Sequence, residues 1–115
     1  VIFVESAART ARETESTLNT FAGIALDDGL IVGLHILRRF EEGGSVGVHI
    51  AGLWVAEGHR RRGVARNLKE QGEAWARSIS ATFLNTNVRI ANARMLEIND
   101  RLGFSPYRIN LRKRL

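Results

Sequence analysis

The stretch from Leu53 to Arg66 concentrates the residue types that could do chemistry. Leu53-Trp54-Val55 reads as the end of a strand, Glu57-Gly58-His59 as a short loop, and Arg60-Arg61-Arg62-Gly63-Val64-Ala65-Arg66 as the opening of a helix. The first N–H groups of a helix have no partner within it, and the aligned peptide dipoles place partial positive charge there. Small residues such as Gly63 and Ala65 let an anion approach the backbone closely, and the arginines add full charges. In physical terms this is a phosphate-binding site; a basic helix start that binds nothing is the plainer alternative. It is not a P-loop, because no Gly-x-x-x-x-Gly-Lys-Ser/Thr occurs, and the glycine spacing of the dinucleotide fingerprint is absent. Three histidines, His35, His49 and His59, supply groups able to exchange a proton near neutrality.

These residues need elements to hold them. Residues 7–18 are polar and alanine-rich and read as a helix. Phe21 to Leu26, Leu30 to Phe40 and Val46 to Val55 read as three strands. The turn signals Asp27-Asp28-Gly29 and Glu41-Glu42-Gly43-Gly44 join them into an antiparallel meander. Alternation in the third strand puts Val46, Val48 and Ile50 on one face and Gly47, His49 and Ala51 on the other. From Arg62 to Ser78 the period changes, with Val64, Leu68, Trp75 and Ile79 at helical spacing. Residues 82–90 return to strand character, residues 92–102 read as a short helix ended by Gly103, and Phe104 to Leu111 as a final strand or two. The expectation is one α/β (α+β) domain over residues 1–115. Its mixed central sheet is antiparallel in the N-terminal half, βαβ-like in the second half, and flanked by helices.

A chain of 115 residues, 44% of them hydrophobic, is one domain able to bury its own core. Without cysteine there is neither a disulfide framework nor a thiolate metal site, and no metal is expected. The net charge of +5, from 17 Lys plus Arg against 12 Asp plus Glu, favours an anionic partner. Only Lys69 and Lys113 among the cations are lysines. The Arg112-Lys113-Arg114 cluster reads as a solvated basic surface. No apolar run approaches the roughly 20 residues of a membrane span, so no membrane partner is expected and cytoplasm is the default location. The chain opens on Val1, which leaves room for a preceding segment.

The loop resembles the acetyl-CoA loop of the GNAT superfamily, Gln/Arg-x-x-Gly-x-Gly/Ala, which Arg60-Arg61-Arg62-Gly63-Val64-Ala65 fits at all three fixed positions. Other parts of that pattern follow in order over roughly residues 20–110: the apolar strand Leu53-Trp54-Val55, Asn92 before a helix, and Leu102-Gly103-Phe104 leading into a strand. The resemblance implies acetyl-CoA as cosubstrate. The backbone from Arg60 through Arg61, Arg62, Gly63, Val64 and Ala65 to Arg66 would cradle its pyrophosphate. The pantetheine arm would lie like an extra strand along Leu53, Trp54 and Val55, with Asn92 in contact. The Leu53 N–H would polarise the thioester carbonyl, a contribution of ~3 kcal/mol for such a donor. Trp54 would line the acyl pocket or serve as plain core.

Direct attack of a neutral amine on the thioester leaves two proton tasks. His49, fourteen residues before Gly63, stands where some GNAT members place a catalytic Glu. Base and hydrogen-bonded structural histidine are both open readings for it. His35 could serve instead, and His59 and Glu57 are weaker options. Many GNAT enzymes carry a Tyr four residues before the glycine of Leu-Gly-Phe to protonate the leaving thiolate; this chain has Asn99, which is no acid but can donate a hydrogen bond to the sulfur. Tyr107 lies on the wrong side of Phe104 to replace it. A second departure is length, since only about twenty residues precede Phe21. The N-terminal elements are therefore expected to be short or missing, with Val1-Ile2-Phe3-Val4 as a remnant.

The leading expectation is an N-acetyltransferase acting on a primary amine of a small molecule or a peptide. A non-catalytic acyl-CoA-binding domain on the same fold is the second, motivated by Asn99. A nucleic-acid-binding module is the third, weakened by the lack of clustered stacking aromatics. A homodimer is also open, because the tail is apolar at alternating positions, Ile109 and Leu111.

Overall fold

The computed structural model describes residues 2–6, in their backbone, and 19–115. The helix expected over 7–18 lies outside the described residues. Among the described residues five strands form one sheet in sequence order: β1 (Ile2–Ser6), β2 (Thr20–Asp27), β3 (Leu30–Glu42), β4 (Ser45–Val55) and β5 (Phe83–Asn85). The first three pairings are antiparallel and β4–β5 is parallel, the mixed sheet that the sequence implies. The N-terminal strand expected as a remnant is present and pairs with β2 from Ile2↔Asp27 to Ser6↔Gly23.

The two hairpin turns follow from their residues. Asp28 (φ 50°) and Gly29 (φ 81°), like Gly43 (φ 56°) and Gly44 (φ 83°), are left-handed, which a two-residue turn between right-twisted strands requires.

Helix α1 (Val64–Ser78) makes the parallel crossover from β4 to β5. Its buried residues, Val64, Leu68, Gly72 and Ala76, repeat every four positions and form one stripe against the sheet. Two clusters fill the interface. One joins Val64 and Leu68 to Ala25 and Val32, with Leu53 and Val55 beside them. The other joins Ala76 to Phe21, Leu37 and Val48, and Trp75 stacks on Phe21 with ring centroids 5.5 Å apart. Full burial of a Leu or Val contributes roughly 1.5–3 kcal/mol, so this layer holds α1 in place.

Helix α2 (Ala93–Arg101) starts at Asn92, whose Oδ1 accepts from the Met95 N–H at 3.1 Å. It ends before Gly103, at φ 93°, as a C′ glycine should. Two strand expectations shrink. Only Phe83–Asn85 of residues 82–90 are strand, and Phe104 to Leu111 form none. Pro106, within this stretch, has no N–H to offer a ladder. Ile109 and Leu111 stand 83% and 91% exposed, with no sheet face to cover.

Candidate active site

The site begins with an extra residue in β4. Leu37 pairs with Ile50, but Ile36 pairs with Gly52, so Ala51 is bulged. One extra residue exchanges the faces beyond it. Val48 and Ile50 point at α1 before the bulge, and Leu53 and Val55 do so after it. The parallel ladder with β5 stops at the same level, at His49↔Asn85. Past that pair the strands part. The stretch Ile50–Leu53, unpaired on its β5 side, borders a cleft of about 1100 Å³, walled opposite by Thr86–Arg89 and α2 and floored by Ala65 and Lys69 of α1. A free strand edge beside a cleft can take an extended ligand as an added strand.

The phosphate-type loop closes one end. After β4, a 3-10 turn (Glu57–His59) leads to Arg60. Arg61 (φ 63°) and Gly63 (φ 80°) are both left-handed, and Gly63 caps α1. The first capping bond runs from Asn67 N–H to Gly63 O, at 3.0 Å, which leaves the N–H groups of Val64, Ala65 and Arg66 without helical partners. They border a concavity of about 190 Å³ shared with Val55, His59, Arg60, Arg61 and Gly63. Arg60 Nε donates to Val55 O at 3.1 Å, folding the loop back on β4. Among the described residues none of Arg60, Arg61 and Arg62 forms an ion pair, and three guanidinium groups beside a helix start suit an anion.

His59 Nε2 lies 2.6 Å from Asp27 Oδ2 and ties this loop to the β2–β3 turn. The hydrogen bond from His59 holds the Asp27 carboxyl below its ordinary range, against the opposing effect of burial; the charge of Arg62 acts in the same direction as the bond.

His49 is half-buried, borders the cleft, and lies on the sheet face away from α1, beside Arg38 of β3 and Asn85 of β5. Leu53 borders the cleft, and Val55 the loop concavity. Trp54 does not reach the cleft: the bulge turns it to the opposite face, in register with Leu34 and 48% exposed. Its side chain is therefore neither acyl-pocket wall nor core.

Asn92 borders the cleft while its Oδ1 caps α2. Asn99 is buried, 8% exposed, and borders the cleft; no hydrogen bond among the described residues uses its side chain. Tyr107 reaches the cleft rim, but its hydroxyl donates to Glu42 Oε1 at 2.8 Å. His35 is 1% exposed, and its Nδ1 lies 3.0 Å from Gly52 O. Burial is the main cause holding its imidazole below the ordinary value, which favours the neutral ring, against the opposing effect of the Gly52 bond.

Sequence reasoning missed Lys69. It is half-buried on the cleft floor, where burial pushes its ammonium below the ordinary value. The signal was its position four residues after Ala65 on the inward side of the helix.

A sheet split between parallel strands, with a phosphate-type loop at the mouth of the split, defines an acyl-CoA-type acyltransferase fold. Residues 3–104 match the acetyltransferase (GNAT) family, and the chain belongs to it. Comparison with curated protein sequences gives no match. Among solved structures the chain is similar to aminoglycoside N-acetyltransferase AAC(6')-Iy in complex with the bisubstrate analogue CoA-S-monomethyl-acetylneamine. That likeness has a TM-score of 0.75 at 18% identity and covers 100% of this chain and 99% of that one. It is also similar to a transcriptional regulator from Bacillus halodurans, with a TM-score of 0.74, 18% identity and coverage of 84% and 67%. A third is glucosamine-6-phosphate N-acetyltransferase from Arabidopsis thaliana, with a TM-score of 0.69, 14% identity and coverage of 84% and 67%. At these identities the likeness is one of fold, and the chain spans about two thirds of the length of the last two. No helix among the described residues is long and apolar enough to cross a membrane.

Proposed function

We propose that this chain is an acetyl-CoA-dependent N-acetyltransferase whose acceptor is a primary amine on a small molecule. The observation that carries the reading is the parting of β4 and β5 past His49↔Asn85, directly above a helix start with free N–H groups. The residues present fit the cosubstrate. The N–H groups of Val64, Ala65 and Arg66, with Arg60, Arg61 and Arg62, offer donors and charge to a pyrophosphate. The free edge of β4 offers a ladder to the pantetheine amides, and Asn92 lies alongside. AAC(6')-Iy has been solved with CoA and with a CoA-based bisubstrate analogue, which supports the same donor here.

The thioester supplies an activated acyl carbon. His49 accepts a proton from the incoming amine, whose nitrogen lone pair forms the new C–N bond as the C–S bond breaks. The Leu53 N–H stabilises negative charge developing on the carbonyl oxygen. Asn99 donates a hydrogen bond to the departing sulfur, and water supplies its proton, since a thiolate with ordinary basicity is a tolerable leaving group. This assignment makes His49 and Asn99 catalytic through contact with the reacting groups. The exposed Ile109 and Leu111 of the tail support pairing of two copies, and cytoplasm remains the expected compartment.

One observation favours a second reading. Asn99 is an amide where a proton donor would stand, which fits a domain that binds acyl-CoA without turning it over. Following thiol release from acetyl-CoA across a panel of amines separates the two. Turnover with any amine supports the transferase, and binding without turnover across the panel supports the non-catalytic acyl-CoA-binding domain.

A further inference from the structure

We infer that His35 is a positioning residue: by holding the Gly52 carbonyl it aims the Leu53 N–H into the cleft. This rests on the reading above, in which that N–H meets the thioester carbonyl. Gly52 O can only accept, so the proton of the 3.0 Å contact belongs to His35 Nδ1. The Gly52–Leu53 peptide is planar and trans, as every described bond is. In such a unit the C=O and the next N–H point in opposite directions. His35 sits on β3, in register with Leu53, and itself borders the cleft; the edge of β4 that β5 leaves open is the one away from β3, and it faces the same cleft. A carbonyl drawn toward His35 therefore turns the Leu53 N–H toward the cleft.

Such a hold is needed at this position. The bulge at Ala51 breaks the β3–β4 ladder immediately before Gly52, and glycine has no side chain to fix its own peptide. The ladder resumes beside it at Ile36↔Gly52 and His35↔Leu53, and the His35 bond adds a hold on the carbonyl itself. The ring itself is clamped. A Cβ at Gly72 of α1 would come within 3.0 Å of His35 Cδ2, 3.2 Å of its Nε2 and 2.9 Å of Leu37 Cδ1. Gly72 thus explains itself, since glycine is disfavoured inside a helix and here it admits the imidazole. Gly72, His35 and Gly52 form a rack from the helix through the sheet to the reacting edge, and the role assigned to His35 within it is exerted through the Gly52 carbonyl.

The test compares His35→Ala, which removes the donor, with His35→Asn, whose amide can reach the place of Nδ1. It also follows the imidazole nitrogens and the Leu53 amide of the wild type by ¹⁵N NMR with acetyl-CoA. The expected result for His35→Ala is a kcat lower by roughly 10- to 100-fold with KM for acetyl-CoA changed by less than about threefold, the signature of a misaimed donor. His35→Asn should recover most of that loss. The wild-type ring should carry its proton on Nδ1, and the Leu53 amide should shift when acetyl-CoA binds. Equal kcat in all three proteins, a ring protonated on Nε2, or a Leu53 amide unmoved by bound acetyl-CoA each overturns the inference and leaves the transferase reading standing. A wild type that neither binds nor turns over acetyl-CoA removes that reading instead, and the inference with it. If His35→Ala does not fold, the wild-type spectra still decide.

Discussion

Asp27 Oδ2 and His59 Nε2 meet at 2.6 Å, so the turn that ends β2 is joined to the loop that opens α1. The pair joins segments 32 residues apart. Asp27→Asn should leave the sheet intact and loosen the loop, raising the dissociation constant for acetyl-CoA about two- to fivefold, the scale of an exposed pair. Because the carboxyl is held below its ordinary value, its contribution is present above the unfolded value of about 3.9 and is lost as pH falls through the folded one. Thermal melts from pH 3 to 7 should show a steeper acid decline in the wild type than in Asp27→Asn. Coincident acid limbs would mean that the pair does not stabilise the fold.

His49 borders the cleft level with Asn85, where the strands separate. If it takes the proton of the amine, His49→Ala should lower kcat by roughly 10²- to 10⁴-fold and leave the affinity for acetyl-CoA unchanged. Steady-state thiol release with calorimetry on the same preparation measures both. An unaltered rate would clear His49 of the role.

Asn99 is 8% exposed, with no side-chain hydrogen bond among the described residues. A buried amide without a partner costs roughly 1–3 kcal/mol, and an apolar residue of similar size removes that cost. Asn99→Leu should therefore melt at or above the wild-type temperature while turning over at least about tenfold more slowly, because the donor to the leaving sulfur is gone. A clear drop in melting temperature would show that the amide is already satisfied without ligand.

His35 gives a different pH signature. Burial lowers its folded value, and the charge of Lys69 on the cleft floor acts the same way, against the Gly52 bond. An unfolded histidine, with a value of about 6.5, takes up a proton that the folded one refuses, so stability present above that pH falls as the pH drops below it. The slope can reach about 1.4 kcal/mol per pH unit for one proton. Urea titrations between pH 5 and 7.5 should show this slope in the wild type and its loss in His35→Asn. A slope that persists in the variant would assign it to another group.

The elements legible in the sequence were those whose pattern is local. The β2–β3 and β3–β4 hairpins followed from Asp28-Gly29 and Gly43-Gly44, α1 from Val64 and Leu68, and the helix ends from Asn92 and Gly103. What escaped depended on pairing. Strict alternation gives no sign that Ala51 is an extra residue, and that residue decides that Leu53 joins the core while Trp54 leaves it. The stretch after Asn85 has the composition of a strand, but the ladder with β4 ends at His49↔Asn85. The tail alternates like a strand yet carries Pro106 at its start. Within the site, the loop could be read from Arg60 to Ala65, whereas the hold of His35 on Gly52 spans 17 residues and required the register.

The most direct measurement is a calorimetric titration of the wild type and Gly63→Asp with acetyl-CoA, using coenzyme A without its 3′-phosphate as a control. The account predicts saturable one-to-one binding to the wild type and none to the variant, whose carboxylate would occupy the anion site. Absence of wild-type binding at millimolar ligand, or equal affinity in Gly63→Asp, would contradict it.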